Sequence, residues 1–122
     1  MEADCGIYIV KVKELKENWS KLKTTLIGYA ENITNSTSKW VYDSEKSEAG
    51  IMLNILEKLP NKVETLTDIQ IQELLKPFGN YDTPYLLENN FIFSYGDNLG
   101  TVPTILAESL EVLKTTKVEI WN

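Results

Sequence analysis

Residues 6–34 read GIYIVKVKELKENWSKLKTTLIGYAENIT, and the apolar period changes within them. The first part, GIYIVKV, is a run of β-branched and aromatic residues opened by Gly6, the pattern of a mostly buried strand. From Leu15 onward the residues Leu15, Trp19, Leu22, Leu26, Tyr29 and Ile33 recur at steps of three and four, which places them on one stripe of a helix. Lys16, Glu17, Lys21 and Lys23 take the other side. A strand followed at once by an amphipathic helix buries both apolar faces when the helix lies on the sheet, so the stripe is read as core rather than as a partner surface. The Asn, Ser and Thr side chains of NITNSTS compete for backbone hydrogen bonds and stop the helix.

The rest of the chain is read outward from that unit. KWVYD, residues 39–43, is a short strand with aromatics at alternate positions. Asp43 or Ser44 caps a second helix with Met52, Ile55, Leu56 and Leu59 on its buried face, and Pro60 lies beyond its end. Thr67 and Gln70 have capping-box spacing and open a third helix running through Ile71, Leu74 and Leu75 to Pro77. TPYLLEN reads as a further turn or two of helix, with Thr83 as cap and Pro84 at the first helical position. FIFSY is a clear strand, PTILAESLEVLK a helix and KVEIW a last strand. The connection between those last two strands is long enough for them to run parallel. The fold class is therefore α+β, or mixed α/β: a small mixed sheet of about four strands with four to five helices packed on it. With 122 residues, 43% of them hydrophobic, and no repeat or linker, the chain 1–122 is expected to form a single domain.

Charge narrows the function. Twelve lysines face eighteen carboxylates for a net charge of −6, and arginine and histidine are absent. The excess is uneven: residues 1–39 carry a net +1 and residues 40–122 a net −7. Phosphate backbones need clustered cations, so direct nucleic-acid or anionic-membrane binding is not expected, whereas a basic protein would be attracted. No signal peptide or membrane span is read, and the lone Cys5 excludes an internal disulfide; these features point to the cytoplasm.

No reaction is named by any motif, and the chain is not expected to be an enzyme. Without histidine the commonest general base and metal ligand is missing. Cys5 has nothing to activate it and reads as a small buried thiol. The loop SYGDNLGTVPT lacks the lysine of a phosphate-binding loop and sets Asp97 where a phosphate would lie. Asp82 with Glu88 or Asp97 would be a carboxylate pair for glycoside hydrolysis only if the fold set them across a cleft. No catalytic residue, cofactor or metal is assigned.

Recognition remains. Trp40, Tyr42, Tyr81, Tyr85 and Tyr95 lie close in sequence to Asp43, Glu45, Glu48, Asp82, Glu88 and Asp97, and aromatics beside carboxylates make anchors against a cationic surface. The candidate partner-binding set is Trp40, Tyr42, Asp43, Glu45, Glu48, Tyr81, Asp82, Tyr85, Tyr95 and Asp97. In size, acidity, Lys, Asn and Ile usage without arginine, and stretches such as KWVYDSEKSE and NYDTPY, the chain resembles bacterial immunity proteins, especially those of contact-dependent growth inhibition systems. The resemblance is one of class and carries no site residues with it. It implies a one-to-one complex with a basic toxin domain but not that toxin's activity; from the charge, a nuclease is the expected toxin, its cationic groove occluded by the acidic face. A phage-type acidic inhibitor of a nucleic-acid-binding protein uses the same electrostatics, and a small-molecule-binding or hydrolytic domain near Tyr81 and Tyr95 is the reading from another class.

Overall fold

The computed structural model describes residues 6–79, 84–95, 100–111 and 116–118, with the backbone alone for residues 6–7, 94–95 and 116–118. The opening strand β1 (Gly6–Lys11) takes an inner place in a four-stranded sheet. On one side it pairs antiparallel with β3 (Asn90–Tyr95), setting Tyr8 opposite Phe93 and Val10 opposite Phe91. On the other side it pairs antiparallel with β4 (Thr116–Val118). The edge strand β2 (Tyr85–Leu87) pairs antiparallel with β3, so the order is β2-β3-β1-β4. Among the described residues every pairing is antiparallel, and the expected mixed sheet is corrected to that extent. The parallel relation read for the last two strands survives, because β3 and β4 both oppose β1 and so run the same way on either side of it. Helix α5 (Thr101–Leu110) lies in the connection between them.

The period change in residues 6–34 is realised as read, with one break. Helix α1 (Val12–Glu17) passes into α2 (Trp19–Thr34) at Asn18, whose backbone N–H and side-chain amide both donate to the Glu14 carbonyl, the latter at 2.9 Å. The stripe buries Leu15, Trp19, Leu22 and Leu26, and Ala30 completes it, while Tyr29 and Ile33 are only partly buried at the far end. Helix α3 (Asp43–Glu57) packs on α2 through Ala49, Met52 and Leu56. Antiparallel packing brings the end of α3 to the start of α2, where Trp19 Nε1 donates to the Pro60 carbonyl at 2.8 Å and Lys23 Nζ to the Leu59 carbonyl at 2.8 Å. Helix α4 (Asp68–Leu75) begins with the expected box: the Gln70 N–H donates to Thr67 Oγ1 at 3.2 Å and the Thr67 N–H to Gln70 Oε1 at 2.8 Å. It gives way to a 3₁₀ turn over Lys76–Phe78, as Pro77 has no amide with which to continue the helix.

Tyr8, Val10, Phe91 and Phe93 form the core face of the sheet, with Leu86 of β2 in the same register. They share one cluster with Leu22, Leu26, Met52, Leu56, Ile105, Leu106 and Leu110 from the helices. Tyr8 stacks near Phe93 with centroids 6.5 Å apart and donates its hydroxyl to Glu111 Oε1 at 2.6 Å, tying the centre of the sheet to the end of α5. Among the described residues no helix is long and apolar enough to cross a membrane.

Two elements differ from the reading of the sequence. KWVYD is not a strand: residues 39–41 form a turn, Tyr42 is the cap residue, and Asp43 is the first residue of α3. The reason is local, since serine hydroxyls and a glutamate take the amides that a ladder would have used. TPYLLEN is not helical either, as Tyr85–Leu87 is β2 and turns into β3 at Glu88 and Asn89. Leucine and glutamate are good helix formers, but propensity is a small term that tertiary context overrides, and here pairing with β3 decides. Glu88 sits at the tip of that hairpin with φ 56°, a left-handed value uncommon outside glycine and asparagine. Cys5, Thr83 and much of GDNLG and KVEIW lie outside the described residues.

Ser109 is fully buried in α5, and its hydroxyl has no hydrogen-bond partner. A lone hydroxyl in an apolar setting costs free energy without return. Ser109→Ala is therefore expected to raise the unfolding free energy by about 1 kcal/mol, read as a shift of the urea midpoint with unchanged slope. An unchanged or lowered midpoint would contradict it.

Candidate functional site

The α2–α3 connection is short, polar and closely held. Ser36 Oγ accepts from the Ser38 N–H at 3.1 Å, Ser38 Oγ accepts from the Trp40 N–H at 3.1 Å, and the Val41 N–H reaches the Ser38 carbonyl at 3.2 Å. Glu45 Oε1 then accepts from the Tyr42 N–H at 3.1 Å, the reciprocal half of a capping arrangement. Each amide so engaged is one fewer for water or a ladder. The loop is built from its own side chains.

That scaffold presents two large aromatics to solvent. Val41 is half-buried, and its neighbours on either side point outward: Trp40 is 75% exposed and Tyr42 65% exposed. Lys39 Nζ lies 5.3 Å from the centroid of the Trp40 ring. Asp43 and Glu48 are exposed on the first turns of α3, where carboxylates also suit the positive end of the helix. Glu45, expected only as a partner contact, has a structural duty as well, because it caps the helix.

Behind the loop the start of α3 meets the end of α2 and the start of α5, leaving a groove of about 500 Å³. Tyr29, Ile33 and Ile105 supply its apolar lining, and Asn32, Thr101, Thr104, Glu45 and Glu108 its polar groups. Helix α5 begins at Gly100, whose φ of 89° suits glycine, and the Thr104 hydroxyl donates back to the Gly100 carbonyl at 2.6 Å.

The sequence-derived set is thus only partly brought together. Trp40, Tyr42, Asp43, Glu45 and Glu48 share this end of the α2–α3 pair. Tyr85 does not join them: it is 39% exposed on the edge strand β2, which is tied to α4 where Gln72 Nε2 donates to the Pro84 carbonyl at 3.2 Å. Tyr95 ends β3, and its side chain lies outside the described residues, as do Tyr81, Asp82 and Asp97. The carboxylate pairing of Asp82 with Glu88 or Asp97 therefore falls outside them too. The groove residues Tyr29, Asn32, Thr101, Thr104 and Glu108 were missed. One signal for them was present, since Thr101, Thr104, Ile105 and Glu108 recur with helical spacing on α5.

A second cleft, of about 660 Å³, lies where α1, the start of α4 and the β2–β3 turn meet. It is lined by Lys11, Lys13 and Lys16 but also by Glu17, Asp68 and Glu88. Lys16 is committed to Asp68 at 3.3 Å and Lys13 approaches Glu17 at 3.9 Å. Its charges cancel and, among the described residues, Val12 is the one apolar residue that lines it, so it is the weaker candidate site. Among the described residues no group of three His, Cys, Asp or Glu side chains is placed to hold a metal ion.

Comparison of the chain with family models, with curated proteins and with solved structures gives no match. The surface is accordingly read from its own chemistry.

Glu45 separates cap from charge. Glu45→Ala is expected to lower stability by about 1 kcal/mol through loss of the cap, whereas Glu45→Gln keeps an acceptor for the Tyr42 amide and leaves stability nearly unchanged. Thermal or urea melts of the two variants check this. Equal losses in both would show that the carboxylate charge, not the hydrogen bond, holds the helix start.

Proposed function

We propose that the protein is an immunity protein, which acts by binding and not by catalysis in the cytoplasm. It neutralises a basic toxin domain, a nuclease, in a one-to-one complex. The observation that carries the reading is the pair Trp40 and Tyr42, largely exposed on a loop whose backbone is already fixed by Ser36, Ser38 and Glu45. Exposing two large aromatics on a monomer's surface has a hydration cost, and aromatic anchors at the centre of an interface recover it. Because the loop is ordered in advance, little conformational entropy is lost on association. Asp43, Glu45 and Glu48 on the first turns of α3 set three carboxylates in the same stretch of chain as those anchors against Lys39 and Lys46, a negative excess that steers a cationic partner and speeds encounter. The mechanism is occlusion: carboxylates sit where the toxin holds substrate phosphates, and the aromatic rings seal the contact from water.

The test is co-expression with the polypeptide encoded immediately upstream. Growth of cells making that polypeptide should be restored by this protein and lost again with the double change Trp40→Ala, Tyr42→Ala, while the variant remains folded by circular dichroism. Protection that survives the double change would remove the loop from the interface. An upstream polypeptide that is harmless on its own would remove the immunity reading.

A further inference from the structure

We infer that the groove between α2, α3 and α5 receives a lysine or arginine side chain of the partner; the inference rests on reading the adjoining loop as an interface. The lining holds groups for both parts of such a side chain. Tyr29, Ile33 and Ile105 give an apolar wall for the methylene stem, and Glu45 and Glu108 give two carboxylates for the cationic head. Glu45 uses Oε1 on the Tyr42 amide, which holds the carboxylate in place while its other oxygen remains open to a donor. Neither lysine nor any other cation of the protein lines the groove among the described residues. Its volume, about 500 Å³, falls in the range of roughly 300–1,000 Å³ typical of ligand sites.

One feature of the groove favours the opposite charge. The start of α5 at Gly100 and Thr101 opens into it, and a helix N-terminus carries about half a positive charge. Two full carboxylates outweigh that half charge, so a cation is the net preference. An uncharged or acidic side chain would leave Glu45 and Glu108 in the same groove without a countercharge, which desolvation on complex formation makes unfavourable.

The test needs no partner. Nα-acetyl-lysine methylamide and the corresponding arginine amide are titrated into the intact protein while backbone amide NMR shifts are followed, with the norleucine amide as the uncharged isostere. The expected result is a saturable change confined to Asn32, Gly100, Thr101, Thr104 and their neighbours, with a dissociation constant of about a millimolar, as befits so small a ligand. Glu108→Gln and Glu45→Gln should each weaken it about tenfold, as expected for loss of a charge-assisted contact. Norleucine amide should give no saturable change. Equal response to norleucine amide, unaltered affinity in both glutamine variants, or no saturable change with either cation would overturn the inference. Such a failure is distinct from failure of the loop, which the growth test reads through Trp40 and Tyr42, residues that do not line the groove.

Discussion

Trp19→Ala is expected to lower the unfolding free energy by about 4 kcal/mol, the largest loss anticipated for a single change in this protein. Trp19 begins α2, is 2% exposed, and sits in the cluster that joins α2 to the sheet and to α3. Removing the indole forfeits the apolar area it buries and leaves a cavity that rigid helix backbones cannot close. It also removes the donor that answers the Pro60 carbonyl, so the turn after α3 loses its tie to the start of α2. Domains of this size hold only about 5–15 kcal/mol in all. The variant should therefore melt far below the wild type, and Trp19→Phe should recover part of the loss by refilling the space without the hydrogen bond. A melting temperature within a few degrees of wild type for the alanine variant would show that the α2–α3 junction is not where stability is held.

Trp40→Ala is expected to behave in the opposite way. The ring is 75% exposed, so its removal should change stability by no more than about 0.5 kcal/mol. Under the proposed function its effect belongs to the complex: dissociation from the basic partner should quicken about thirtyfold, the equivalent of about 2 kcal/mol, with the association rate little altered. Reversal of Asp43 and Glu48 to lysine should do the reverse, slowing association most at low salt and leaving dissociation nearly unchanged. Glu45 is left out of that reversal because its loss would also uncap α3. Binding kinetics measured at two ionic strengths read both effects at once. A Trp40→Ala variant that dissociates like wild type would exclude the loop as the anchor.

These two tryptophans show how far the sequence could be read. Trp19 belongs to a stripe that continues through Leu22 and Leu26, and a period kept over several turns states which side is buried. Strand β1, the α3 and α4 helices and the Thr67–Gln70 box were legible for the same reason, each being a local pattern with one physical meaning. Trp40 lies in KWVYD, where alternation of aromatics over a few residues suits a strand as well as a turn. What decided was the hydroxyls of Ser36 and Ser38 just upstream, which claim amides that a strand would need. Tyr85 failed differently. Its strand exists because β3 is beside it, and no residue within PYLL announces a partner that follows only after the turn. The groove was illegible in another sense, since Tyr29, Glu45 and Glu108 come from three helices and meet only when those helices pack. The loop of Trp40 and Tyr42 was singled out by its composition but expected in another conformation.

The inner place of β1 also orders events in time. Ile9 faces Ile92 on one side and Thr116 on the other, so the strand met first in the chain has both its neighbours in the last third of it. A ribosome delivers β1 long before either edge can be paired, and loop closure over such separations is slow compared with the collapse of neighbouring helices. The α2–α3 hairpin needs no such wait, because its halves are adjacent in sequence. A nascent chain thus assembles the loop that carries Trp40 and Tyr42 on a helical hairpin before its sheet exists, and the sheet closes as a late, cooperative step.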